Sequence, residues 1–161
     1  MRNAQLTIKN AQLTINNYNL MVERDYIMRM LQEFFEAIAK LMRRELPGME
    51  PDDSHIQERF KDMYRQFFRR RAEYFYEAEK EEILEGLMNE GRSDNDTFAR
   101  MQMLSELLYR DGQIKKNFSE KCSLLEKALF LLEYLDNNSR TFSWDRRQKI
   151  EDIKKELFEF K

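Results

Sequence analysis

The chain has 161 residues, of which 42% are hydrophobic and 36% are charged, and its formal net charge is −2. This length suits one domain with its own core, and the 12 Phe, 10 Met and 7 Tyr that could fill that core exclude a disordered chain. The balance of 28 basic and 30 acidic residues gives no overall attraction to nucleic acid or to an anionic membrane. We expect a cytoplasmic protein, because no apolar run approaches the ~20 residues of a membrane helix and the first twenty residues lack the continuous apolar core of a secretory signal. The single cysteine, Cys122, cannot form an internal disulfide.

The beginning of the chain contains a perfect repeat, since NAQLTI occupies positions 3–8 and again positions 10–15. Leu6, Ile8, Leu13 and Ile15 alternate with polar residues, which is the pattern of short strands. Two strands alone are marginal in water. We therefore predict that residues 1–20 are a duplicated extension outside the core, with docking on the domain or on a partner chain as the alternative, and that residues 21–161 form a single helical domain.

After residue 20 the apolar positions recur at helical spacing, and glycine and proline fall where helices would end. A first helix is predicted from about Glu23 to Glu45, ended by Pro47 and Gly48. Residues 54–90 read either as one long helix or as two helices broken near three consecutive arginines. Ser54 and Gln57 have capping-box spacing at the start of this region, and Gly91 suits the left-handed position after its end.

Three further helices are predicted in the second half of the chain, at about 94–110, 118–136 and 143–160. Asp111, Gly112 and Gln113 are expected to interrupt the first of these, and Ser143 is expected to cap the last. Cys122 is predicted to face the core as a structural thiol. The class is therefore all-α, with about five to six helices in antiparallel hairpins.

The segment MQMLSELLYRDGQIKKNFSEKCSLLEKALFLL, at 101–132, resembles a tetratricopeptide helical hairpin. Such repeats have large apolar residues around a small residue in the first helix, glycine at the turn, and Ala-Leu late in the second helix. Those positions are matched by Met101, Leu104, Ser105, Leu108, Gly112, Ala128 and Leu129. The turn is about four residues longer than usual, and only one such unit, at about 98–136, is found. The resemblance implies a tetratricopeptide-like α–α arrangement.

The wider order of helices is similar to that of a small uncharacterised bacterial family whose members open with a DYI-R-M helix. Here Asp25 to Met30 read DYIMRM. This resemblance implies a helical fold with a tetratricopeptide-like pair at its end. It implies no activity and no functional residue.

Two surface features of residues 54–90 are candidates for binding. Tyr74, Phe75 and Tyr76 surround a helix at one level and cannot all face one core, so they form a possible partner surface as well as possible core. A basic face interleaved with aromatics could instead hold phosphates and stack bases. Its members are Lys61, Arg65, Arg69, Arg70 and Arg71.

No residue pattern indicates a chemical reaction. His55, the only histidine, lies beside Asp52 and Asp53 but lacks the spacing of a helical metal site. Glu33 and Glu36 could border the core, but nothing in the sequence makes them converge as an acid/base pair. We predict no catalytic residue, no metal and no cofactor. The sequence favours a non-enzymatic module that binds another protein or itself, with a nucleic-acid-binding protein using the basic face as the alternative.

Overall fold

The computed structural model describes residues 2–43 and 53–160, and within these ranges every regular element is a helix. The all-α prediction is confirmed for this part of the chain, which has seven helices rather than five or six. In chain order they are α1 (Arg2–Met42), α2 (Asp53–Phe68), α3 (Ala72–Glu77), α4 (Lys80–Glu90), α5 (Asp94–Ile114), α6 (Phe118–Asn138) and α7 (Trp144–Glu159).

Helix α1 begins far earlier than predicted and includes both copies of the repeat, so the strand interpretation of residues 3–15 is wrong. The hydroxyls of Thr7 and Thr14 donate to the carbonyls of Asn3 and Asn10, at 2.8 and 2.9 Å. These contacts join residues four apart, which one turn of a helix brings together and an extended strand does not. Apolar residues two apart then lie on nearly opposite sides of the helix rather than on one face of a strand.

The region from 53 to 90 contains three helices, not one or two. The first break falls at the predicted arginines, where Arg69 has a positive φ of 55°. A second break lies at Ala78 and Glu79, whose backbones are extended. The predicted cap at Ser54 depends on a side chain that lies outside the described part of the structure.

Two predictions about glycines are wrong. Gly91 has a φ of −69° rather than a left-handed conformation, and it is needed for space, because an added Cβ would lie 1.8 Å from Thr97 Oγ1. Asp111 and Gly112 do not interrupt α5 but lie inside it. A Cβ on Gly112 would lie 3.3 Å from Leu124 Cβ, so this glycine lets α5 and α6 pack closely.

Helix α5 is the centre of the domain, because it contacts α1, α2, α4 and α6. Large residues on all sides of it are fully buried, and they are Met101, Met103, Leu104, Leu107 and Leu108. A three-residue connection, 115–117, joins α5 to α6, and these two helices share the most extensive contact in the domain. Helix α7 packs on α6 and is capped by Ser143, as predicted.

Three helix starts are fixed by side chains of the expected type. Ser93, Asn117 and Ser143 each accept a hydrogen bond from the backbone N–H three residues later. These caps set where α5, α6 and α7 begin. In the described ranges, none of the helices combines the length and the apolar character that crossing a membrane requires.

Candidate functional site

The N-terminal half of α1 projects from the domain. All residues from 3 to 22 are exposed, and burial begins at Glu23. Twenty helical residues extend about 30 Å. We call residues 3–22 the arm.

One side of the arm has the spacing of a coiled coil. Its apolar and small residues alternate at intervals of four and three, which keeps them in line along the helix. We call this line the seam, and it consists of Ala4, Ile8, Ala11, Ile15, Tyr18 and Val22. Its large members are well exposed, with Ile8 at 68%, Ile15 at 52%, Tyr18 at 65% and Val22 at 50%.

A second apolar line lies on the opposite side of the arm and consists of Leu6, Leu13 and Leu20. It lacks apolar neighbours at the three- and four-residue steps, where asparagines and charged residues stand instead. Seven-residue steps continue it to Phe34 and Leu41, which are buried against the domain. The arm therefore extends a packed helix beyond the body that it packs on.

The seam ends where α1 meets the domain. The next two positions in its spacing are Asp25 and Arg29, which are polar. Here the Ser93 hydroxyl donates to the Glu23 carboxylate, and the Arg92 guanidinium lies over the Tyr26 ring, 5.3 Å from its centre. These contacts fix the point at which the arm leaves the domain.

The three aromatics predicted as a partner surface lie in different surroundings. Phe75 is buried in the core and stacks on Tyr64, with ring centres 5.3 Å apart. Tyr74 is half-buried beneath the Arg70 guanidinium, at 4.3 Å. Tyr76 is half-buried and its hydroxyl donates to Asp111. A partner could reach only the outer edges of Tyr74 and Tyr76, and the partner surface stays a prediction.

The predicted basic face is divided between separate contacts. Lys61 pairs with Glu73 at 3.5 Å, and Arg70 pairs with Glu90 at 2.5 Å. Arg65 and Arg71 are exposed. Arg69 and Arg70 border a cleft against α1, and the other three do not. The nucleic-acid interpretation stays a prediction.

A buried polar cluster that the sequence did not reveal lies between α2, α3 and α5. The Asp111 carboxylate is fully buried, and its Oδ2 accepts from the hydroxyls of Tyr64, at 2.9 Å, and Tyr76, at 2.5 Å. Its Oδ1 lies 3.5 Å from Lys115 Nζ. Lys115 Nζ also donates to Gln57 Oε1 at 2.8 Å.

The electrostatics of this cluster indicate a structural role. Burial raises the pKa of Asp111, and the hydroxyls and Lys115 oppose that shift. Burial and the neighbouring carboxylate raise the pKa of Tyr64 and of Tyr76, so both hydroxyls stay protonated and act as donors. Tyr76 and Lys115 also border a cavity of about 260 Å³. The cluster ties three helices together.

Burial also lowers the pKa of Lys127, whose Nζ donates to the carbonyls of Phe75 and Tyr76, at 2.9 and 2.8 Å. Lys127 thus satisfies carbonyls near the end of the short helix α3. It lies two residues before Leu129 in the segment that resembles a tetratricopeptide hairpin, where no pattern in the sequence indicated a buried amine.

The remaining candidates are not brought together. Glu33, Glu36 and His55 are exposed, and Cys122 is only half-buried, although it was predicted to face the core. The side chains of Asp52 and Asp53 lie outside the described residues. In the part of the chain that is described, no three His, Cys, Asp or Glu side chains converge closely enough to hold a metal ion.

No protein-family model, no curated protein and no solved structure matches this chain.

The sequence contained a signal for the seam that the search for strands missed. Alternation at steps of two groups Leu6 with Ile8. The four- and three-residue steps of a helix instead place Ile8 in the seam and Leu6 on the opposite side. The cluster around Asp111 had no such signal, because its members come from three helices that are distant in the sequence.

Proposed function

We propose that this chain is a non-enzymatic helical module that associates with itself, and that the arm pairs with the arm of a second copy in a parallel two-stranded coiled coil. The observation that carries the proposal is the exposed seam on the arm. We also propose that α5 and α6 form a tetratricopeptide-like hairpin within the domain.

The arm needs a partner because its sequence is a poor helix former. It contains Asn at 3, 10, 16, 17 and 19 and β-branched residues at 7, 8, 14 and 15. These types favour helix less than Ala, Leu or Glu do. Helices of this length are marginal in water unless an apolar face is packed, so pairing of the seam would supply the missing stability.

The seam suits an identical partner in parallel orientation. The β-branched residues Ile8, Ile15 and Val22 fall at the first core position of successive heptads, which favours parallel pairs, and the alanines at 4 and 11 let two helices approach closely. The six positions that flank the seam are uncharged, so like charges do not oppose the pairing of two copies. They are Gln5, Thr7, Gln12, Thr14, Asn19 and Met21.

The expected affinity is moderate. Burying the exposed portions of Ile8, Ile15 and Val22 stabilises by about 1–2 kcal/mol for each side chain, and a pair buries six of them. Association costs about 4–15 kcal/mol in lost freedom. Only the most favourable combination, about 12 kcal/mol gained against about 4 kcal/mol lost, reaches about 8 kcal/mol, so we expect a dissociation constant that is micromolar at the tightest.

The test compares two substitutions of the same kind on opposite sides of the arm. Ile15→Asp places two carboxylates against each other in the seam, whereas Leu13→Asp, at a similarly exposed position, places them outside it. Sedimentation velocity between roughly 1 and 100 µM, which begins at the tightest expected value, should show a dimer for the natural chain and for Leu13→Asp, and a monomer for Ile15→Asp. A natural chain that stays monomeric, or an equal loss of the dimer in both variants, would refute the seam as the interface.

Orientation is tested separately by cross-linking. In a Cys122→Ser background, Ala4→Cys places a thiol opposite its own copy only if the helices are parallel, because disulfide formation needs Cβ atoms about 3.5–4.5 Å apart. Mild oxidation should then give a covalent dimer. Cross-linking of Ala4→Cys only when it is mixed with a Val22→Cys chain would show an antiparallel pair instead.

A further inference from the structure

A cleft of about 810 Å³ lies between α1, the end of α2 and the segment from α4 to α5. Arginines approach it from every side, and we call it the arginine cleft. Those arginines are Arg29 from α1, Arg69 and Arg70 after α2, Arg92 before α5, and Arg100 within α5. Tyr26 and Phe67 contribute aromatic rings to its wall.

The charge of the cleft is opposite to that of the whole protein. Five arginines and two carboxylates, those of Glu33 and Glu90, line it, which leaves an excess of three positive charges. The chain as a whole carries −2. Such a local excess attracts anions even though the molecule does not.

Three of the five guanidinium groups have no carboxylate partner in the described ranges. Arg70 pairs with Glu90, and Arg100 pairs with Asp96 at 3.3 Å. Arg29, Arg69 and Arg92 form no ion pair there, although Arg92 lies over the Tyr26 ring. These three come from different elements and remain available to one ligand.

Arg69 gives an independent indication. Its φ of 55° lies in the left-handed region, which glycine adopts freely and which costs energy for a side chain as large as arginine. Glycine is the usual residue at such a helix end. The exposed Arg69 side chain makes no contact in the described structure that offsets this strain. Strained residues of this kind cluster at active sites and ligand-binding sites.

We propose that the arginine cleft binds a compact ligand that carries two or more phosphate groups. Planar guanidinium groups match phosphate oxygens with paired hydrogen bonds, and three unpaired groups suit more than one phosphate. The volume is that of a pocket for a nucleotide-sized molecule. This inference is independent of self-association through the arm.

The surroundings of the cleft favour a small molecule over a nucleic-acid strand. A strand needs a basic track that continues along the surface. Beyond the cleft, α3, α4 and the turn between them expose four glutamates, namely Glu77, Glu79, Glu81 and Glu82, and Lys61 is paired with Glu73. The exposed Arg65 and Arg71 lie outside the cleft, but with these carboxylates nearby they do not extend it into a long basic track.

The test is isothermal titration calorimetry of the full chain at fixed ionic strength, with tripolyphosphate, ATP, orthophosphate and a single-stranded oligonucleotide as probes. We expect tripolyphosphate and ATP to bind at least tenfold more tightly than orthophosphate and the oligonucleotide. Tighter binding by tripolyphosphate than by ATP would assign the site to inorganic polyphosphate, and the reverse would assign it to a nucleotide. Failure of both to bind at millimolar concentration, or tighter binding of the oligonucleotide, would overturn the proposal.

Two variants and a control locate the site. Arg69→Gly removes a cleft guanidinium and relieves the backbone, so loss of binding cannot be attributed to unfolding, and Arg29→Gln removes one from the opposite wall. Each should weaken binding at least tenfold. Arg71→Gln, exposed and adjacent but outside the cleft, should change affinity less than twofold. An equal loss of affinity in Arg71→Gln would contradict the assignment, because it would show that the probe responds to any positive charge on this surface.

Discussion

The ion pair of Asp111 and Lys115 offers the most direct test of how the domain is held together. The substitution Lys115→Met keeps an unbranched side chain that is one atom shorter, and it removes the charge and the hydrogen bond to Gln57. It leaves a carboxylate with no exposed surface facing only two tyrosine hydroxyls. Removing one partner of a buried pair costs about 3–5 kcal/mol in general, because the other charge stays buried.

Here the loss in free energy of unfolding has an upper limit that depends on pH. A buried carboxylate can take up a proton, so the penalty cannot exceed the free energy of protonating it at the ambient pH. For an ordinary pKa of 3.8, that limit is about 4 kcal/mol at pH 7 and about 1.6 kcal/mol at pH 5, at 1.36 kcal/mol for each pH unit. We therefore expect Lys115→Met to cost about 2–4 kcal/mol at pH 7 and markedly less at pH 5.

The direction of this pH dependence follows from the difference in the pKa of Asp111 between the folded and the unfolded protein. Burial already raises the pKa of Asp111 in the folded protein, and loss of Lys115 raises it further. The folded state then holds its proton more tightly than the unfolded state, so the contribution of Asp111 to stability is complete below its ordinary pKa and is lost as the pH rises through the folded value. Urea unfolding at several pH values and one protein concentration measures this difference directly.

Two controls make the result specific. Lys155→Met, at an exposed position of α7, removes a charge without uncovering a buried carboxylate and should change stability by less than about 0.5 kcal/mol. Asp111→Asn combined with Lys115→Met should recover most of the loss at pH 7, because an amide oxygen still accepts from the tyrosines. A cost for Lys115→Met that is below 1 kcal/mol, or equal at pH 5 and pH 7, would refute the reasoning.

Three further outcomes follow from individual positions. Arg69→Gly should raise the free energy of unfolding by about 1 kcal/mol, because it relieves the left-handed conformation; a decrease in the urea midpoint would show that the arginine side chain supports the fold. Gly91→Ala should destabilise by about 1–3 kcal/mol, since its Cβ would overlap Thr97, and an unchanged thermal midpoint would contradict that crowding. Deletion of residues 1–20 should leave the unfolding free energy of the monomer within about 0.5 kcal/mol, as the arm is exposed; a larger loss at a concentration too low for dimers would show that the arm packs on its own domain.

The helices were predictable where periodicity and punctuation agree. Ser143 and the apolar positions after it defined α7 closely, and the arginines marked a break at 69–71. Prediction failed for glycine, because a glycine can be required either for a special backbone conformation or for close packing. Gly91 and Gly112 were taken as conformational signals, yet both are required for space, Gly91 beside Thr97 at the start of α5 and Gly112 beside Leu124 of α6. Which neighbour lies beside a glycine depends on the tertiary arrangement, and local sequence does not contain it.

The candidate surfaces were predictable to different degrees for the same reason. The seam is a local property of one helix, so its spacing was present in the sequence once helix replaced strand as the framework. The arginine cleft needs Arg29, Arg69 and Arg92 from three separate segments, and only the second of these belonged to the predicted basic face. The cluster around Asp111 likewise required α2, α3 and α5 to meet.

Helix α1 connects the two proposed surfaces. Its seam ends at Val22, and four residues later Tyr26 begins the wall of the arginine cleft, followed on α1 by Arg29 and Glu33. The polar residues that end the seam, Asp25 and Arg29, are thus where the helix changes from a line suited to a second copy to a wall suited to an anion. Because α1 is one uninterrupted helix, pairing of the arms would hold two clefts at a fixed distance from each other. Each surface nevertheless uses its own side chains, so Ile15→Asp should abolish the dimer without removing any guanidinium from the cleft, and Arg69→Gly should weaken the anion site without altering the seam.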